Sequence, residues 1–305
     1  MTHIFGPVPS RRLGLSLGVD LIPPKTCTYD CLYCEVGRTT CHIVNAEPFV
    51  PASEIADELK IALSKSSPDT ITLAGSGEPT LNSEIEKIIA SIRKQTNIKI
   101  ALLTNGSLFW KEEVLQKVMG VDIILPTLTT VFEETFRAIH RPCAELNVSR
   151  LISGLKDLRR RYTGLIFLEV ILLSGVNDKE REVEGLKGII REISPDMVQL
   201  NTVIRPPSYS RAMPVQREHM EQIKNFLGEK AEIIAYPPSQ KRIAENDSAD
   251  VSIVEMAKRR PVRLIDVSTA LHITPEESEG LIKELMIKGL ILKREHEGEV
   301  FYISK

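Results

Sequence analysis

Cys27, Cys31 and Cys34 stand in a C-x3-C-x2-C arrangement, with Tyr33 immediately before the last thiol. A tight loop of three thiols can ligate three irons of a cubic 4Fe-4S cluster, whose full thiolate ligation takes four cysteines. The fourth iron then has no protein ligand. An open metal position is where a substrate or cofactor binds, the logic that separates catalytic from structural zinc sites. Zinc is the competing reading, but zinc sites usually pair one two-ligand knuckle with another. The nearby candidates for that second knuckle are Cys41 and His42. Disulfides fit less well. The cysteines number five, which is odd, and the opening Met-Thr-His-Ile-Phe lacks a basic n-region followed by an apolar stretch. The expectation is therefore reduced thiols in a cytosol. Cys41 and Cys143 are too few for a second cluster and read as ordinary small apolar residues.

Other residues of chemical interest follow in the chain. Gly75, Ser76, Gly77 and Glu78 form a Gly-rich turn after an apolar run. Such a turn lets a ligand approach the backbone and leaves amides free to bind it. Thr104 and Asn105 precede Gly106 in a second polar turn, which on its own reads as a strand end. Glu169 interrupts the apolar run 167–171, and a carboxylate there needs an ion-pair partner or a ligand. Asn201 sits in another such run, Gln-Leu-Asn-Thr.

The elements that must position these residues alternate. Candidate strands cover 15–21, 70–74, 99–104, 122–126, 165–172 and 197–203, apolar runs expected for strands buried on both faces of a parallel sheet. Candidate helices begin at Ser53 and at Asn82 or Ser83 with Glu86 as a capping partner, and then cover 110–118, 131–139, 148–161 and 180–193. Six β–α units in sequence favour a parallel, right-handed α/β arrangement. A helix over 215–227 and a short strand over 232–235 follow. Residues 236–239 and 244–250 read as linker. The last segment, 251–305, has helices at 253–259, 264–271 and from Thr274-Pro275, then a hairpin of 290–294 and 299–303. Three helices and a two-stranded wing give a small winged helix-turn-helix. The expected domains are a core over 1–240, a linker over 241–250 and the winged unit over 251–305.

The cysteine loop, the Gly-Ser-Gly-Glu turn one β–α unit later and the order of the units together resemble the radical S-adenosylmethionine (radical SAM) superfamily. The resemblance covers residues 5 to 240. Residues 5–14 and the run Ile139-His140-Arg141-Pro142 look like an uncharacterised group within it, related to wybutosine-synthesis enzymes. It implies a partial (β/α)6 TIM-like barrel, with the cluster loop at the mouth where barrel enzymes place reactive groups. It further implies that Cys27, Cys31 and Cys34 hold the 4Fe-4S cluster and that Tyr33, Gly75, Ser76, Gly77 and Glu78 lie around S-adenosylmethionine. Thr104, Asn105, Glu169 and Asn201 would line the rest of that pocket. The implied chemistry is reductive cleavage of S-adenosylmethionine to a 5′-deoxyadenosyl radical that abstracts hydrogen from a substrate. A one-electron donor such as ferredoxin or flavodoxin would supply the electron; RNA, peptide and metabolite substrates all stay open. One departure is the absence of a polar-Leu-Asp sequence after the fourth strand, where Thr127-Leu128-Thr129 stands.

Composition sets limits around this. The chain has 305 residues, 42% hydrophobic and 26% charged, room for a large core plus a small unit. No apolar run approaches the roughly 20 residues of a membrane helix, so no membrane partner is expected. A net charge of −2 gives no general electrostatic case for nucleic-acid binding. Residues 251–305 carry nine Lys or Arg and nine Asp or Glu. A DNA-reading face normally carries net positive charge, so a structural or protein-contact role is favoured over DNA binding. The alternative function is an iron-sulfur or metal-sensing regulator acting through that unit.

Overall fold

The computed structural model describes residues 3–235, 249–271 and 273–305. An antiparallel hairpin of β1 (Ile4–Ser10) and β2 (Gly14–Asp20) opens the chain. A long loop follows, containing the two-residue strands β3 (Thr26–Cys27) and β4 (Cys41–His42), which pair in parallel. Then come α1 (Ala52–Lys65), β5 (Thr70–Ala74), α2 (Ile85–Gln95), β6 (Lys99–Thr104), α3 (Glu112–Lys117) and β7 (Ile123–Pro126). The core continues with α4 (Glu133–His140), α5 (Val148–Arg161), β8 (Leu165–Leu172), α6 (Glu180–Ile193), β9 (Met197–Thr202), α7 (Arg217–Leu227) and β10 (Ala231–Ile233).

These strands form one eight-stranded sheet in the order β1-β2-β5-β6-β7-β8-β9-β10. Every neighbouring pair from β2 onward is parallel. The architecture is the expected α/β one, with the short strand expected at 232–235 added to the six and β1 as an unexpected edge. The short strand at 231–233 joins the parallel sheet beside β9, and β1 adds an antiparallel edge. Pro7 and Pro9 disguise β1 in the sequence, because proline cannot donate to a ladder; an edge strand tolerates it. The two sheet ends meet through a side chain. Arg11, in the β1–β2 turn, donates to the carbonyls of Ile234 and Ala235 just past β10, at 2.9 and 3.0 Å.

The core lies between sheet and helices, where Leu17, Val19, Ile71, Leu73, Ile100, Leu102, Leu168 and Val170 are all fully buried. β8 departs from the expectation of burial on both faces. Ile166, Leu168, Val170 and Leu172 are buried, whereas Phe167, Glu169 and Ile171 between them are only half-buried, and Glu169 and Ile171 line a cavity on the inner side of the sheet. Helix starts also differ. α2 begins at Ile85 without a side-chain cap. Asn82 instead turns inward, donating to Leu21 and Val50 carbonyls while accepting from the Glu84 amide.

The C-terminal segment folds as α8 (Ala249–Arg259), α9 (Leu264–Leu271), α10 (Pro275–Ile287) and an antiparallel hairpin of β11 (Ile291–His296) and β12 (Glu299–Ser304). It has its own core of Ile253, Val262, Val267, Ile282, Leu285 and Ile291. Thr274 and Glu277 close a capping box at the start of α10. Of the expected linkers, 236–239 and 241–248 lie outside the described residues, and 249–250 already belong to α8. This segment packs on the hairpin end of the sheet. The Phe5 ring covers Gly18, where a Cβ would fall 2.1 Å from the ring, and the Arg259 guanidinium lies 4.3 Å from the Phe5 centroid.

Candidate active site

The loop after β2 carries the three cysteines, and the structure shows what holds it. Its backbone is stapled to the C-terminal end of α4 and the residues after it: the Asp30 and Leu32 amides donate to the carbonyls of His140 and Ile139, and the Cys143 amide to Thr28. A second staple comes from beyond β9. The Ser208 amide and hydroxyl both donate to the Cys34 carbonyl, at 3.0 and 2.9 Å, and the Tyr209 hydroxyl donates to Asp30 at 2.5 Å. The runs 139–143 and 206–210 thus serve the cysteine loop, a role that their composition did not advertise.

Around the sulfurs, Asn105 Nδ2 points at Cys27 Sγ across 3.6 Å and donates to Thr28 Oγ1 at 2.8 Å. His140 Nδ1 lies 3.2 Å from Cys31 Sγ, and its Nε2 lies 2.6 Å from the Thr129 hydroxyl. Tyr29, Tyr33 and Phe136 pack against its ring. His140 is 1% exposed, and burial lowers its pKa to about 3. The imidazole is therefore neutral, with one N–H to place. Burial pushes the Cys27 thiol up to about 12 and also raises Cys31 and Cys34. Among the described residues no side-chain cation offsets the burial, so a bound metal is what would make these thiols thiolates.

The Gly-rich turn after β5 is pinned from two sides. Asp20, at the end of β2, accepts from the Ser76 amide at 3.1 Å and hydroxyl at 2.6 Å. Gly77 presses on β3, and a Cβ there would stand 1.8 Å from the Thr26 carbonyl oxygen. Glu78 is 2% exposed and accepts four hydrogen bonds: from the amide and hydroxyl of Thr80, the Thr104 hydroxyl and the Asn105 amide. Burial nevertheless pushes its carboxyl up. Glu78 thereby ties the β5 turn to the β6 turn that presents Asn105 to Cys27. On the far strands, Glu169 meets Arg12 at 3.0 Å and accepts from Asn201 Nδ2 at 3.2 Å. Both partners of this ion pair keep 14% of their side-chain surface exposed.

A cavity of about 1280 Å³ joins these parts. Tyr33, Cys34, Gly75, Ser76, Glu169 and Asn201 line it, together with residues of β1, β2, α8 and α9. Cys27, Cys31, Gly77, Glu78, Thr104 and Asn105 are not on its wall; they form the layer that positions it. Asp20, His140 and Arg12 are site residues that sequence reasoning missed. The Ile-His-Arg-Pro run was the one signal for His140.

The donor set suits an iron-sulfur cluster better than a single ion. Among the described residues no three His, Cys, Asp or Glu side chains converge as ligands of one metal ion. A four-iron cube is larger and spaces its ligands more widely. Two nitrogen groups, from Asn105 and His140, already face the sulfurs, as is usual for the residues surrounding metal-bound thiolates. Cys41 and His42 do not join them. Cys41 is exposed rather than packed as a small apolar residue, because β4 is a two-residue bridge on the outer side of the loop, and His42 Nε2 sits 2.9 Å from the Thr28 carbonyl.

Comparison with known proteins gives the site its family. The model of the Radical SAM superfamily matches residues 21–184. The UPF0026 protein MJ1312 of Methanocaldococcus jannaschii is 31% identical over 313 residues, covering 100% of this chain and 96% of that protein. A protein of Brachyspira hyodysenteriae named GTPase Obg is 35% identical over 290 residues, 94% of this chain; the chain spans only 42% of its length. Among solved structures, TYW1 with a lysine-pyruvate adduct bound superposes with a TM-score of 0.55 at 14% identity, covering 73% of this chain and 75% of that one. At that identity the likeness is one of fold. No helix among the described residues is long and apolar enough to cross a membrane. With three thiols on one loop at the mouth of a parallel α/β sheet, and a superfamily model spanning more than half the chain, this protein belongs to the radical SAM superfamily, alongside the UPF0026 proteins.

Proposed function

We propose that this chain is a radical SAM enzyme in which Cys27, Cys31 and Cys34 hold a 4Fe-4S cluster and the cavity beside Cys34 takes S-adenosylmethionine and a substrate. When bound, the pair supplies one-electron cleavage of the sulfonium and a 5′-deoxyadenosyl radical that removes hydrogen from the substrate. The observation that carries this reading is the shared cavity: Cys34, Tyr33 and the Gly75–Ser76 turn open onto one space that also reaches Glu169 and Asn201.

The protein's own residues have defined tasks in this proposal. Asp20 fixes the Gly75–Ser76 backbone so that its polar groups line the cavity. Glu78 keeps the Thr104–Asn105 turn against the cysteine loop. Its four acceptor contacts leave little capacity for a ligand ammonium, so the turn's backbone is the better holder of the methionine moiety. Arg12 pairs with Glu169 at 3.0 Å and holds it on the cavity wall, available to ligand hydroxyls. The winged-helix-like unit, residues 251–305 in this division of the chain, covers the cavity through α8 and α9 and is assigned a substrate-enclosing role.

The test is reductive turnover. Anaerobically reconstituted protein with dithionite should form 5′-deoxyadenosine from S-adenosylmethionine, and Cys31→Ala should lose both the brown iron-sulfur absorbance and that product. Normal cluster content in Cys31→Ala would falsify the ligand assignment.

A further inference from the structure

Three arginines converge on the cavity where the barrel meets the C-terminal segment: Arg11 from the β1–β2 turn, Arg205 from beyond β9 and Arg260 after α8. Their charges are poorly matched. Arg205 is 5% exposed, yet its contacts with Glu35 and Asp266 are 3.4 and 3.6 Å long, and its Nε has no hydrogen-bond partner. Good guanidinium–carboxylate bonds run at about 2.7–2.9 Å. Asp266 is shared, since Arg263 binds it more closely at 3.2 Å. Arg11 spends its bonds on carbonyls, and among the described residues no carboxylate pairs with Arg11 or Arg260. The mutual repulsion registers in the acid–base chemistry. Burial, with Arg205 adding to it, lowers Arg11 to about 10, and Arg205 together with burial lowers Arg260 to about 10.

S-adenosylmethionine does not account for this excess. With one carboxylate, one ammonium and one sulfonium it is a net cation, and an arginine-rich wall disfavours it. The wall also carries Asp20, Glu35, Asp69, Glu169 and Asp266, which leaves a small positive balance that a second, anionic ligand would offset. Resting on the radical SAM reading, we propose that the substrate carries a phosphate group, bound by Arg11, Arg205 and Arg260 at the seam between barrel and C-terminal segment. A phosphate monoester carries about −1.5 to −2 charges at neutral pH with several acceptor oxygens. Glu35 acts on both Arg11 and Arg260 without pairing directly with either, and a phosphate matches these two guanidiniums and an idle Nε–H better than a carboxylate does, since arginine forks suit phosphate geometry. Because α8 and α9 complete this wall, the phosphate would also tie the C-terminal segment to the barrel.

The experiment uses the full chain and inorganic phosphate, with acetate at equal ionic strength as the monoanionic control. Phosphate should raise the melting temperature of the parent protein and acetate should not. Arg260→Gln should melt at or above the parent in phosphate-free buffer, because a like-charge repulsion is relieved, and should bind phosphate about tenfold or more weakly by calorimetry. Equal effects of phosphate and acetate, no effect of phosphate, or an unchanged affinity in Arg260→Gln would each overturn the proposal. So would a lower melting temperature of Arg260→Gln without phosphate, which would make Arg260 a structural tie. Phosphate binding needs neither cluster nor electron. Phosphate retained without 5′-deoxyadenosine formation would therefore defeat the enzyme reading alone, and 5′-deoxyadenosine formation without phosphate binding would defeat this inference alone.

Discussion

Replacing Gly77 with alanine should damage the site without touching a ligand. The new Cβ would lie 1.8 Å from the Thr26 oxygen, 2.7 Å from its carbonyl carbon and 2.9 Å from Ile22 Cγ2. Real Cβ contacts essentially never fall below 3.0 Å, so the turn and β3 must part by about 1.2 Å. Two of the three atoms are backbone, so no side chain can rotate away. The Glu78 amide donates to the same Thr26 oxygen at 3.1 Å, and a displacement of that size takes it out of hydrogen-bonding range. Overpacking costs about 1–3 kcal/mol and the lost bond about 1 kcal/mol. The expected sum is about 2–4 kcal/mol, or a fall in melting temperature of roughly 3–6 °C for a chain of this size. Thr26 immediately precedes Cys27, so iron bound after anaerobic reconstitution should fall as well. Circular dichroism melts of the iron-free protein and iron analysis check both parts. Gly188→Ala is the control: a Cβ there meets nothing within 4 Å, and alanine within α6 should stabilise by about 0.5–1 kcal/mol. A Gly77→Ala protein that melts within a degree of its parent and binds full iron would refute the reasoning.

Three further outcomes can be measured. His140 is held neutral by burial, with a pKa of about 3 against about 6.5 unfolded; the unfolded chain takes up the proton first, so iron-free protein should lose about 1.4 kcal/mol per pH unit below 6.5. His140→Gln should flatten that part of the pH–stability curve, and an unchanged slope would count against a neutral buried ring. For Glu35, burial alone would raise the carboxyl, but Arg205, Arg260 and Arg11 outweigh it and hold it lowered; its contribution is present above the unfolded value of about 4.3 and is lost as pH falls through the folded value. Arg205→Met should remove the direct ion-pair partner of Glu35, while Asp266 keeps Arg263, and cost about 1–2 kcal/mol at neutral pH, read in urea melts, with less further loss on acidification. Thr274→Ala should open the capping box and cost about 1 kcal/mol, visible as faster amide exchange confined to the first turn of α10.

How far the sequence could be read depended on the range of the interaction. β5, β6 and β8 were bounded correctly from their apolar runs, and α5, α6 and α9 from their helical periodicity, because each element's burial is written in its own residues. The three cysteines were legible for the same reason: a ligand loop of eight residues is a local pattern. β1 was not, since its two prolines argue against a strand until the neighbouring β2 shows which edge stays unpaired. The Glu78 carboxylate looked like a ligand from its place in a Gly-rich turn. Its four donors come from Thr80 and from a turn 26 residues on, and only the packed chain reveals them.

Local composition alone carried the thiol chemistry, the α/β class and the capped helix of the C-terminal segment, because thiol spacing and apolar periodicity act over a few residues. Folding decided that His140 faces Cys31 from 109 positions away, that Asp20 pins the Ser76 turn from 56, and that Arg11 reaches across the sheet to Ile234 from 223. Such partners carry no mark in the primary structure. A hydrogen bond is set by where two backbones are brought, and that depends on the burial of the whole core.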